Sequence, residues 1–459
     1  MRCKATVLGE VDKVAMTKTA LAVMFLAAAC TKPADRCSSN LDCTDPAYPF
    51  CDVTGQFPAS GGDMNVCTIP PPAPDAGAAA PADAPSTPVP GGCSPGAATC
   101  TNGELTVCNS DGMTATMTAC PVGCEASGTA CKTIVPSNGL GPALASAVSE
   151  ADVMFPATVT INTDTGVVVD GAQVPINVPT VVVTQSGAPS IRVYIAHSFD
   201  ITNAGVVGSA ALAFVAATTI NIHGLVSESA SGTTSASGAL LTGTCAGAAS
   251  SKGGGGGGNG TAGGAGAAPL GGTAASGGSA QSLFSPLAGG CVGGTDGTNP
   301  VGGGGGGALQ LVAGTAITVT ATGTLSLGGG GAGAQGGGGA GGTLVAESPV
   351  VTIDGTVAAN GGSGGACGVN GNNATPDTTP APSVSGCVHM VSTHTLPGFS
   401  GSGGTAAQAP GGGSNGTEAG PGGGGAVGRL AVTTFDGMLQ HANSAILSVA
   451  MTTGTIAVK

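Results

Sequence analysis

The sequence predicts a mainly β protein: a right-handed parallel β-solenoid with glycine-rich insertions, preceded by two small disulfide-rich modules. Three observations predict it. A strand phrase returns irregularly after residue 151, as "IRVYIAHSFDITNAGVV" from Ile191, "LAFVAATTINIHGLV" from Leu212, "LQLVAGTAITVTATGTL" from Leu309 and "GTLVAESPVVTIDGTV" from Gly342. Glycine, 86 of 459 residues, is concentrated between the copies, in runs such as "GGGGGGNGTAGGAGAAPLGG" from Gly253. Ten of the cysteines fall in two tight clusters, over residues 37–67 and 93–131.

The chain opens on a targeting signal. "MTKTALAVMFLAAAC", Met16 to Cys30, has a basic start at Lys18 and a short apolar run that ends in small residues before a cysteine. That run is too short to span a bilayer as a helix. The pattern resembles a bacterial lipoprotein signal, which implies removal of residues 1–29 and lipidation of Cys30. Ala27 stands where such signals prefer Leu, and the alternative is an ordinary secretory signal cleaved near Ala29. Met16 reads as the true start. Export to the cell envelope, with attachment to the membrane through the lipid, is expected on the first reading; an unanchored secreted protein is expected on the second.

Residues 30–67 form the first cysteine module, with Cys37, Cys43, Cys51 and Cys67. So short a segment cannot bury enough apolar surface to fold unaided, and cross-links are expected to hold it. Residues 68–92, "TIPPPAPDAGAAAPADAPSTPVPGG", read as an extended Pro/Ala-rich linker, because repeated proline fixes φ and removes donors. Residues 93–134 form the second module, with Cys93, Cys100, Cys108, Cys120, Cys124 and Cys131 and a hairpin around Ser110-Asp111-Gly112. Leaving out Cys3 and Cys30, 14 of the 16 cysteines remain, an even number that fits disulfides in an oxidising compartment. Connectivity within the modules is open at this point. Cys120 and Cys124 have the one metal-like spacing, but no histidine lies near them.

Residues 135–459 are the body. Period-2 alternation of β-branched residues, as in Ile220-x-Ile222 and Val351-x-Ile353, indicates half-buried strands. Excess length between copies is nearly all glycine-rich, as expected if insertions near 228–307 and 361–425 leave from one edge of a repeating stack. An antiparallel β-sandwich is the alternative and would need tight hairpins between successive strands. Phe155, Phe199, Phe214 and Phe435 are expected to fill the core. The order of "NTDTG", "QSGAPSIRVY" and "GGGGAVGRL", together with the cysteine spacing, resembles uncharacterised glycine-rich, cysteine-module secreted lipoproteins of myxobacteria and related deltaproteobacteria. That resemblance implies β-helical surface proteins without catalytic activity.

The glycine runs do not read as cofactor loops. Lys252 precedes its run, whereas a phosphate loop needs Lys-Ser or Lys-Thr after the last glycine, and no strand–helix context surrounds any G-x-G-x-x-G. A net charge of −13 with scattered Lys and Arg disfavours nucleic acid as a partner. No cofactor is expected. Cys245–Cys291 and Cys367–Cys387 bracket two insertions and are expected to be disulfides that close them. Cys387, His389 and His394 form a competing metal-ligand candidate. Asp164, Asp170, Asp200 and Asp354 are scattered, so no catalytic residue is assigned. The expected role is that of an exported, lipid-anchored, non-enzymatic surface protein, structural or adhesive, whose partners are a surface or matrix polysaccharide or protein. A carbohydrate-active or carbohydrate-binding β-helix and a metal-binding surface module are the alternatives.

Overall fold

The computed structural model describes residues 50–52, 66–68, 86–88, 92–268, 273–297, 302–391, 394–414 and 420–459. The signal segment, Cys30, Cys37, Cys43 and most of the linker lie outside them. Two compact units are present, 1–83 and 84–459. In the first, Phe50–Asp52 pairs antiparallel with Val66–Thr68, which sets Cys51 opposite Cys67.

The second unit is built from strand triads. Its clearest triad is Ile191–Ala196, Phe199–Ile201 and Ala204–Val207. The next is Ala211–Ala216, Thr219–Ile222 and Leu225–Ser227, and three more follow, beginning at Ala308, Thr343 and Arg429. First strands pair with first strands, second with second and third with third, all parallel. Three mostly parallel sheets of seven, six and eight strands result. The sandwich alternative is thereby overturned, because successive strands join different sheets rather than a common hairpin.

The alternation seen in the sequence becomes a division between faces. Ile220 and Ile222 are fully buried, while Thr219 and Asn221, which alternate with them, are only half-buried. The inward residues of all three sheets form one core, which runs from Phe155 and Ile161 to Leu430 and Val449. Complete burial of each large aliphatic side chain contributes about 1.5–3 kcal/mol. Phe155, Phe199 and Phe214 meet within this core; the rings of Phe199 and Phe214 are 5.0 Å apart and edge-on. Phe435 is a correction. It is 57% exposed, since it follows the end of Arg429–Thr434 and sits in the turn rather than on the inward face.

The outer face of the seven-stranded sheet is covered too. Ile191, Val193, Ala213 and Val345 pack beneath α1 (Gly141–Ala147), Leu287, and Val122 and Ile134 of the second cysteine module. Pro142 lies in the first turn of α1, where its missing N–H costs nothing. The module is a sheet of Ala98–Thr101, Glu104–Cys108 and Thr114–Ala119, with the last two forming the expected hairpin. Ser86–Pro88, read from sequence as part of the spacer, adds a fourth strand at its edge. Disulfides join Cys93 to Cys108, Cys100 to Cys124 and Cys120 to Cys131.

All the long excursions leave from one corner, where a third strand would otherwise turn directly into the next first strand. Between Val207 and Ala211 that turn takes residues 208–210. The corresponding connections elsewhere are 228–307, 327–342 and 359–428. The middle one is not among the insertions expected from the sequence, which lie near 228–307 and 361–425.

Candidate functional site

The three excursions come together as one array of extended, glycine-rich segments. Segment 336–342 shows the rule. Gly337 and Ala340 donate to the carbonyls of Gly294 and Cys291, Gly338 and Gly341 to those of Gly423 and Ala426, and Gly339 and Gly342 to those of Gly330 and Leu327, at 2.7–2.9 Å. The donors therefore rotate among three neighbours and return to the same one every third residue. In turn the carbonyls of Gly337 and Ala340 accept from Gly303 and Gly306, that of Gly338 from Gly257, and that of Gly339 from Gly362. One segment thus has six neighbours. A repeat of about three residues is the twist of the polyproline II helix, which has no internal hydrogen bonds and must find partners outside itself.

This packing requires bare backbone. A Cβ on Gly337 would overlap the Gly255 carbonyl oxygen, and one on Gly338 would overlap that of Gly362. Side chains appear where a segment ends. Asn259, fully buried, donates to the carbonyls of Gly341 and Gly342 at 2.7 and 2.9 Å, and Asn360 to those of Thr375 and Asp377 at 3.0 and 2.6 Å. A disulfide joins Cys245 to Cys291 across two of the segments, with Cα atoms 5.7 Å apart. Cys367 is also disulfide-bonded. The side chains of Cys387, His389 and His394 lie outside the described residues, so the metal-ligand candidate falls there as well. Cys120 and Cys124 are both in disulfides, and with Cys100 and Cys131 likewise bridged this cysteine group has no free thiolate to offer.

Glu228 sits at the root of the first excursion with 1% of its surface exposed, and both of its carboxylate oxygens lack a hydrogen-bond partner. Burial pushes its carboxyl well above the usual range; the Ser237 hydroxyl acts in the opposite direction, without hydrogen-bond geometry. Glu347, on the covered face of the seven-stranded sheet, is also raised by burial, but it accepts from the Ser137 amide at 3.1 Å and from Gln310 at 2.6 Å. Arg429, on the same face, is lowered to about 10 by burial. Its guanidinium bonds to the carbonyl of Leu283 at 2.6 Å and stacks 4.6 Å over the Phe284 ring, which pins the 281–287 loop to the sheet.

The scattered aspartates serve turns and edges. Asp164 accepts from Ser209, chiefly its hydroxyl, and Asp170 accepts from the amides of Ala172 and Val174. Asp152 accepts from Ser198 and lies 2.9 Å from His197; these two hydrogen bonds hold its carboxyl below the usual range. Asp200 lies 3.3 Å from His223. Asp354 accepts from the Ala442 amide. No two of these carboxylates converge on one another among the described hydrogen bonds. Asp200 instead begins a ladder on the outer face of the six-stranded sheet, where Asn221, Thr318, Thr352 and Gln440 follow it in register.

Two concavities lie on the second unit. The larger, about 770 Å³, is an open groove beside 187–190, 208–210 and 233–242, lined by Gly, Ala, Ser, Thr, Pro and Leu. The second, about 480 Å³, lies where α1, the second cysteine module and the sheet corner meet. Leu144, Val148, Ile134 and Pro121 line it, together with Lys132, His197 and Lys459. Sequence reasoning missed this cleft because its walls come from segments hundreds of residues apart. Comparison of the chain with protein-family models, curated proteins and solved structures found no match.

Proposed function

We propose that the protein is an exported, lipid-anchored, non-enzymatic surface protein with a structural or adhesive role, built on a right-handed parallel β-solenoid. The glycine array carries this reading. A phosphate-cradling loop must present free N–H groups to its ligand. Here most of the described N–H groups of the glycine runs are taken up by neighbouring carbonyls, and those of Gly305, Gly328 and Gly331 by side-chain oxygens, so the runs make a slab of backbone rather than a ligand cradle. The parallel registers support a stiff stack beneath that slab. The apolar run before Cys30 supports export and lipidation, and the linker would set the body away from the membrane. Partners are a surface or matrix polysaccharide, or another surface protein.

Mass spectrometry of the protein from the envelope fraction should find a chain that begins at acylated Cys30. A chain retaining residues 1–29 in the cytosolic fraction would overturn export. Cells lacking the protein should attach less to a polysaccharide matrix; unchanged attachment would remove the adhesive role. One observation favours a second reading, a carbohydrate-binding face. The ladder of Asp200, Asn221, Thr318, Thr352 and Gln440 sets hydrogen-bonding side chains at the spacing of the strands. Replacing Asn221 and Thr318 with Val should abolish glycan binding if that face is used.

A further inference from the structure

The two ends of the strand stack are finished differently. At the end nearest Phe155 the core is closed by antiparallel strands. Val159–Asn162 pairs with Val168–Asp170, which pairs with Pro175–Ile176, and Thr180–Val183 pairs with Ile191–Ala196. Phe155, Val159, Ile161, Val168 and Val178 are buried there. At the other end no described strand follows Ala450–Thr455. Its Met451 is in register with Leu430, and through it with Leu344, Leu309 and Leu212. Those four leucines lie inside the core and are at most 1% exposed, yet Met451 is 45% exposed. Phe435 and Met438 are also exposed, in the turn whose Gly437 lies against Gly454 and Thr455. The end of a repeating stack needs a polar surface to remain solvated, and this one stops on apolar side chains.

The strand edge is open as well. Ala450 donates to the Gly428 carbonyl and Ile456 to that of Thr434, so Ala450, Thr452 and Gly454 face Arg429–Thr434. The N–H and C=O groups of Met451, Thr453 and Thr455 point the other way, where no described strand meets them. Solvated edges are commonly blunted by Lys, Pro or a bulge. The opposite end has Pro175 in its outermost strand, whereas Ala450–Thr455 carries no such residue. Charge does not guard this end either. From Gly437 to Val458 the only titratable side chain is His441, in a chain of net charge −13 whose copies repel elsewhere.

We infer that two copies of the chain associate end to end through Ala450–Thr455. Set antiparallel about a two-fold axis at Thr453, the strand places Met451 opposite Thr455 of the second copy and Thr453 opposite its own equivalent. Every outward donor then meets an outward acceptor. The two seven-stranded sheets continue into one another, and the exposed methionines are covered. A second copy fits because the free groups are self-complementary, the surface is uncharged, and the contact extends the strand-on-strand pairing that builds the stack. The inference is independent of the adhesive reading, since it concerns the chain in solution.

Sedimentation velocity of the full mature chain, expressed without the lipid, should show a concentration-dependent monomer–dimer equilibrium. Thr453→Pro removes the N–H on the two-fold axis, at an edge position that tolerates proline. Met451→Lys puts a charge into the apolar layer. Each should weaken the dimer by about tenfold or more. Val182→Lys, on the edge strand at the opposite end, should leave it unchanged. Circular dichroism confirms that each variant is folded. In the parent, amide exchange across 450–455 should be slow in the dimer and fast at dilutions that give monomer. A monomer at every concentration would overturn the proposal, as would a dimer that survives both folded variants or one that Val182→Lys disrupts. Slow exchange of 450–455 in the monomer would also overturn it, because another part of the chain would then cover the strand.

Discussion

Gly337 and Gly412 differ in what one added methyl group would meet. At Gly337 it would overlap the Gly255 carbonyl oxygen, whereas at Gly412 the nearest atom is the Ala265 carbonyl oxygen, 3.5 Å away. Gly337→Ala should therefore destabilise the second unit by roughly 3 kcal/mol, and Gly412→Ala should stay within about 0.5 kcal/mol of the parent. Chemical denaturation of both variants checks this. Glu228 gives a second prediction at this scale. Its folded-state value is raised by burial, so the native state holds its proton more tightly than the unfolded chain does. The stabilisation is complete below the ordinary carboxyl value and is lost as pH rises toward the raised one. Glu347 works in the same direction. Thermal unfolding should thus show stability falling from mildly acidic to alkaline pH, and Glu228→Gln should flatten that dependence. Parallel profiles for variant and parent would assign the pH dependence to other groups.

At the scale of elements, the strands and the glycine segments are held by different means. A strand such as Ala308–Ala313 is buried along its whole length and is fixed by both side-chain packing and ladder bonds. A segment such as 336–342 has almost no side chain to pack and is fixed by backbone bonds to six neighbours. Each buried backbone group left unpaired would cost about 1–3 kcal/mol, so the segments stand or fall as a set. Amide hydrogen exchange across 337–342 should be as slow as across Ala308–Ala313. Exchange at the rate of an open loop would refute the array. The strands were legible because a two-residue period of Ile and Val is a side-chain signal. The array was not: a run of glycines specifies flexibility and close approach, but no register. Phe435 was misplaced for a related reason, because apolar character does not say on which side of a strand end a residue falls.

For the whole molecule, the common corner of departure is the organising feature. Three connections, 228–307, 327–342 and 359–428, all start from the eight-stranded sheet and lead into the seven-stranded sheet, so their glycines are brought side by side. Replacing 327–342 by a short turn like 208–210 should leave the strand triads paired while removing the partners of Cys291, Gly294 and Gly423. Limited proteolysis should then open new cleavage sites in 228–307 and 359–428 but not within the sheets. Resistance equal to the parent would show that the other segments need no central one.

By itself the sequence determined the strand phrase, the β class, the inward positions of Phe155, Phe199 and Phe214, and the bracketing of glycine runs by cysteines. These are local signals, carried by side-chain polarity at fixed spacing. Only the tertiary structure decided that the glycine runs are ordered, that Glu228 is buried without a partner, and that Lys132 and Lys459 share a cleft with α1. Each of these depends on contacts between distant segments, and a glycine backbone writes no preference for a particular neighbour into the sequence. The stack of strands sets where each connection leaves and returns, and the hydrogen bonds of its backbone follow from those positions.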